Sequence, residues 1–163
     1  VDALFEKLKR DQFAFRNVVC ISGGGQQHGS VYWKVGAQKV LHRLDPTQTL
    51  KDQLANAFSV SDSPVWMDVS TDHIRKELER LVGGATVVAN LTGSRGYARF
   101  TASQMAKVAQ SDAAVWKSTE RVSLVSSMVA SLLLGSYSPI DHGDGSGMNL
   151  LDIRTLKWVK VRK

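Results

Sequence analysis

The sequence predicts an α/β domain, and three observations carry that expectation. Residues 18–22 open with an apolar run, Val18-Val19-Cys20-Ile21, of the kind a fully buried strand shows. A second β-prone stretch, Ser30-Val31-Tyr32-Trp33-Lys34, follows it. Around these two lie segments whose apolar residues recur at helical spacing. At 163 residues, with 43% hydrophobic and 22% charged residues, the chain has the size and composition of one ordinary globular domain.

Taken in order, residues 3–12 read as a helix with Leu4, Phe5 and Leu8 on one face and Glu6, Lys7, Lys9 and Arg10 opposite. The two strands come next. Asp45-Pro46 marks a turn, and Thr49 begins a helix whose apolar face is Leu50, Leu54, Ala57 and Phe58. Val65-Trp66-Met67 reads as a short strand ending at Asp68. Ser70 or Thr71 caps a helix with Ile74, Leu78, Leu81 and Val82 on its apolar face, stopped by Gly83-Gly84. A short helix over 85–91, a loop over 95–100 and a helix opened by the capping-box spacing Thr101-Ala102-Ser103-Gln104 follow. Another short helix holds Val115 and Trp116, and residues 122–134 read as a buried core helix ending at Gly135. Residues 136–148 read as a loop, and residues 149–153 return to a strand.

The stretch Ser22-Gly23-Gly24-Gly25-Gln26-Gln27-His28-Gly29 holds the most distinctive chemistry. Consecutive glycines allow close backbone approaches, and Gln and neutral His can each donate and accept hydrogen bonds. In open α/β sheets ligands sit beyond the carboxyl ends of strands. Two readings compete: a loop that binds a polyhydroxylated ligand, and a plain strand-to-strand turn with a satisfied histidine. On residue pattern alone the turn is the simpler. Asp68, at a strand end beside Trp66, either accepts from ligand hydroxyls or caps the next helix. Arg99, in a loop, is a sugar-oxygen donor or a surface arginine.

Other functions are disfavoured. The formal charge is +6, but Lys157, Lys160, Arg162 and Lys163 supply four of those charges, so the basic character belongs to a tail and nucleic acid is not an expected partner. Residues 122–134 are too short for a bilayer, which needs about 20 residues, and Val1-Asp2-Ala3-Leu4 does not read as a signal peptide. The single Cys20, expected within a buried strand, fits a reducing, cytoplasmic setting. His28 stands where a dinucleotide loop has its third glycine, and a strand is expected where that loop needs a helix. Asp141, Asp144 and Asp152 fail the calcium-loop spacing, so no metal site is expected.

The glycine loop, continued through Ser30-Val31-Tyr32-Trp33, closely resembles the sugar-site loop of the FGGY carbohydrate kinases, in particular their eukaryotic D-xylulose-phosphorylating members. Residues 62–68, 91–95, 99–101, 119–127 and 144–153 resemble further motifs of the same family in the same order. The resemblance implies an actin-like, ribonuclease-H-like ATPase domain: part of the first domain of a two-domain sugar kinase. It implies a domain over 1–158 and a divergent basic tail over 159–163. A ketose, D-xylulose, is the implied partner, with ATP and Mg²⁺ as cofactors of a complete kinase. His28, Arg99, Gln27 and Asp68 are the implied substrate-binding residues. The family's N-terminal phosphate hairpin, its catalytic aspartate and its C-terminal nucleotide-binding domain have no match in this sequence. No catalytic residue is therefore expected within it, and the chain is expected to be inactive alone. A non-catalytic sugar-binding module or pseudoenzyme is the alternative.

Overall fold

The computed structural model describes residues 1–159; the tail residues Lys160, Arg162 and Lys163 lie outside them. The fold is mixed. Helix α1 (Asp2–Arg10) leads through a 3-10 turn at Phe15–Asn17 to an extended segment and then to β1 (Ser30–Lys34). Helices α2 (Ala37–Leu41), α3 (Leu50–Gln53), α4 (Asp72–Val82), α5 (Ala85–Thr92), α6 (Thr101–Ser111) and α7 (Ala113–Lys117) follow. Strand β2 (Thr119–Leu124) runs directly into α8 (Val125–Leu134), and the short α9 (His142–Gly147) precedes β3 (Leu151–Asp152) and β4 (Lys157–Trp158).

The centre is the antiparallel pair β1–β2, with Ser30 opposite Leu124 and Trp33 opposite Arg121. Trp33 is completely buried and packs with Val31, Ala37, Leu41, Leu54, Ala57 and Leu132. Its ring lies 5.0 Å from that of Phe58, and its indole N–H donates to Ser123 Oγ at 3.0 Å. A buried indole needs such an acceptor, so Ser123 is a polar residue the core requires. Strands β3 and β4 form a separate antiparallel pair.

Several expectations are corrected. Residues 18–22 are extended but form no strand, and Val19 is 98% exposed, with Ile21 and Cys20 exposed as well. A strand is stabilised by a partner backbone, and no described strand pairs with this segment. Residues 65–68 form a turn, closed by Asp68 N–H donating to the Val65 carbonyl at 3.0 Å, in place of the expected strand. The run 122–134 is a strand–helix junction: it switches at Leu124, whose amide donates to Ser127 Oγ at 3.0 Å and thereby caps α8. The expected loop 136–148 contains α9, opened by Asp141, which accepts from the Gly143 amide at 2.7 Å. The expected capping box at Thr101 is absent, because the buried Gln104 amide donates to the carbonyls of Asp68 and Ala98.

Candidate functional site

The glycine loop reaches its position by packing on the start of α8. A Cβ on Gly25 would lie 2.4 Å from Ser126 N and 2.8 Å from its Cα, so only glycine lets the chain pass there. Beyond it, the Gly29 carbonyl accepts from the Val125 amide at 3.2 Å, joining the loop's far end to the same helix. Between these anchors His28 has a left-handed backbone, with φ of 65°. Such a conformation costs a β-carbon residue about 1–2 kcal/mol, and it recurs where surrounding structure holds a functional side chain in place.

His28 lies tilted against Phe100, ring centroids 4.5 Å apart. Phe100 is the residue before α6, so Arg99 comes to the same place, with its guanidinium 5.6 Å from the Tyr97 ring centre. Gln26, Gln27, His28, Trp66 and Arg99 together line one open cleft of about 270 Å³. Burial, and then the Arg99 charge, push the His28 pKa below its ordinary 6.5, against the Gly147 backbone and Asp144, which raise it. The imidazole is therefore neutral at neutral pH, with one donor and one acceptor nitrogen. Arg99 Nε is buried without a partner among the described residues, which leaves a donor unsatisfied beside the cleft.

Three of the four residues expected to touch a ligand thus meet. Asp68 does not line the cleft. Its carboxylate accepts from the Ser70 amide at 2.8 Å and pairs with Lys107 at 2.9 Å. The Ser70 hydroxyl, ahead of the Ser70 amide and Lys107, brings its pKa down to about 2 despite partial desolvation. It is a locked carboxylate at the entrance to α4. Sequence reasoning noticed Trp66 only as Asp68's neighbour, yet Trp66 is the one on the cleft wall, and Phe100 was passed over beside Arg99. An aromatic next to a polar residue in a loop was the available signal in both cases.

The cleft's lining offers hydrogen-bond donors and acceptors from two amides, a neutral imidazole and a guanidinium, with an indole beside them. The glycine loop enters a strand in place of a helix N-terminus, and no three His, Cys, Asp or Glu side chains converge among the described residues.

The mixed helix-and-strand fold is similar to part of a known structure. The crystal structure of xylulose kinase from Bifidobacterium adolescentis matches it with a TM-score of 0.71 over 96% of this chain and 32% of that one, at 18% identity. No family model matches the sequence. In sequence the chain is 52% identical over 160 residues to xylulose kinase 2 of Arabidopsis thaliana, covering 98% of this chain and 29% of that protein. It is 52% identical over 158 residues to xylulose kinase of Rattus norvegicus, covering 97% and 30%. The probable D-xylulose kinase A of Aspergillus flavus is 46% identical over 154 residues. The resemblance read from the motifs is borne out: nearly the whole chain is similar to part of the xylulose kinases. The chain spans less than a third of the length of these relatives.

Proposed function

We propose that this chain is the sugar-binding part of an ATP-dependent D-xylulose kinase, the reaction that converts D-xylulose and ATP to D-xylulose 5-phosphate and ADP. One observation carries the reading: Arg99, far away in sequence, lines a single cleft with Gln27 and a neutral His28. Similarity to proteins named xylulose kinase supplies the substrate class. The ketose hydroxyls lie against Gln27, His28 and Arg99, with Trp66 beneath the carbon skeleton. Asp68 acts on the site from outside, through the turn that carries Trp66. ATP, Mg²⁺ and the base that activates the sugar hydroxyl belong to other parts of a complete kinase, so the chain alone binds without transferring phosphate. No described helix is long and apolar enough to cross a membrane, and the proposed setting is cytoplasmic.

Titration calorimetry of the folded chain with D-xylulose tests this. The expected result is saturable binding that weakens at least tenfold in His28→Ala, a loss of about 1.4 kcal/mol. Binding is expected to be full above pH 6.5 and to fall as pH drops through the depressed His28 pKa, because protonation removes the acceptor nitrogen. No saturable heat from the folded wild-type chain would contradict the reading. Equal affinity in wild type and His28→Ala would move the site elsewhere.

A further inference from the structure

The two halves of the cleft are held by different helices. The glycine loop rests on the start of α8 through Gly25, whereas the turn that carries Trp66 and the loop that carries Arg99 are both bonded to α6. One side chain makes both bonds. Gln104 is completely buried, and its Nε2 donates to the Asp68 carbonyl at 3.1 Å and to the Ala98 carbonyl at 3.2 Å. Both of those groups accept, so only the NH₂ end of the amide can face them. Asp68 closes the 65–68 turn, two residues after Trp66, and Ala98 directly precedes Arg99. Trp66 and Arg99 line the cleft, and Gln104 does not. Each loop also has an anchor of its own. Lys107, one turn along α6, donates to the Asp68 carboxylate at 2.9 Å, and the Gly96 amide donates to Glu79 Oε1 at 2.9 Å. Among the described residues, only Gln104 donates to both loops.

We infer that Gln104 is a positioning residue for the cleft: its single amide ties the turn carrying Trp66 to the loop carrying Arg99 and so fixes the placement of the indole relative to the guanidinium. This deepens the sugar-site reading above and rests on it for the identity of the ligand. The chemistry of the residue argues for this role over simple packing. Gln104 Oε1 is buried without a partner among the described residues, a cost to stability that an apolar side chain of the same size would avoid. What an apolar side chain lacks is a pair of donors on one nitrogen, and here both are in use. The clamp acts before any ligand arrives. Holding two binding groups in their bound arrangement lowers the ordering cost of association, so affinity depends on a residue that never touches the ligand. The same helix reaches the other half of the cleft, because Phe100, the residue before α6, lies against the His28 ring with centroids 4.5 Å apart.

Side-chain NMR and titration calorimetry together test this. The chain has four tryptophans, and the Trp66 indole N–H is assigned by the signal lost in Trp66→Phe; the Arg99 Nε–H is assigned in the same way with Arg99→Lys. Gln104→Met keeps the length of the side chain and removes both donors. It is expected to shift or broaden the Trp66 and Arg99 signals in the ligand-free chain and to lower D-xylulose affinity about tenfold. Val108→Ala removes buried volume one turn later in α6 and none of these bonds, so it separates positioning from stability. It is expected to lower the unfolding midpoint while leaving both signals and the affinity at wild-type values. Gln104→Asn, an amide too short to reach both carbonyls, serves if Gln104→Met does not fold, with the same signals expected to move. Unmoved Trp66 and Arg99 signals in a folded Gln104 variant, or an equal loss of affinity in Val108→Ala, would overturn the proposal. Moved signals in a chain whose wild type does not bind D-xylulose would uphold the positioning role and overturn the sugar reading alone.

Discussion

At the scale of single residues, His28 carries the site at a cost to the fold. Its φ of 65° lies where a Cβ is disfavoured by about 1–2 kcal/mol, and Phe100 stacking only partly offsets this. Comparing two variants that both lack the imidazole isolates the strain: His28→Gly is predicted to be more stable than His28→Ala by about 1 kcal/mol in urea unfolding. Equal stability of the two would mean that the loop relaxes out of the left-handed conformation. The sequence made His28 legible as a hydrogen-bonding group beside flexible glycines, and it made Gly25 legible as a close approach. What it could not display was the surface approached. Ser126 lies about a hundred residues away and is brought under Gly25 by the β2–α8 junction, a long-range fact that no local pattern records.

At the scale of elements, α4 shows how periodicity misleads when a loop brings its own packing. Its spacing predicts Ile74, Leu78, Leu81 and Val82 as the buried stripe, yet Leu81 is 59% exposed whereas Arg75 and Glu79 are buried. The reason is the 95–100 loop. Gly96 donates its amide to Glu79 Oε1 at 2.9 Å and lies so near that a Cβ would be 2.9 Å from Arg75 Cγ. Arg75 then bridges Glu79 at 2.7 Å and Asp72 at 2.9 Å. This ion pair supports the loop that brings Arg99 to the cleft and Phe100 against the His28 ring. Glu79→Ala is predicted to cost about 3 kcal/mol in urea unfolding, because it leaves a buried guanidinium and the Gly96 amide without their shared acceptor. A change within about 0.5 kcal/mol would show that Asp72 alone satisfies Arg75. Junctions were the other illegible feature. The run 122–134 is the most apolar stretch and reads as one helix, although Thr119-Glu120-Arg121-Val122-Ser123-Leu124 is a strand whose Ser123 serves the Trp33 indole. Short apolar runs do not by themselves separate strand from helix. Strand β1, with its β-branched and aromatic residues, was legible and is where the sequence placed it.

At the scale of the whole molecule, the same chain has a well-packed centre and a bare apolar segment. Trp33 and its neighbours form a core of the ordinary kind, while Val19 and Ile21 stand 98% and 63% exposed on an extended backbone. Unpaired backbone with apolar side chains is a template for pairing with another chain. The isolated chain is therefore predicted to self-associate at high concentration, and Val19→Lys with Ile21→Lys is predicted to reduce this in light scattering without lowering the unfolding midpoint. A monodisperse wild-type chain would refute that expectation. Here the sequence was right about character and wrong about context: residues 18–21 have strand composition, but composition supplies no partner. The cleft at the end of this segment stays assembled because its walls are fixed elsewhere, by Gly25 on α8, by the Glu79–Gly96 bond and by Asp68 locked to Lys107.

The measurement that tests the central claim most directly is a chemical-shift map of the isotope-labelled chain titrated with D-xylulose. A sugar site at the glycine loop predicts saturable shifts confined to residues 26–28, Trp66 and residues 97–100, lost in His28→Ala with the remaining spectrum unchanged. Saturable shifts clustered elsewhere, or none from a folded chain, would contradict the account.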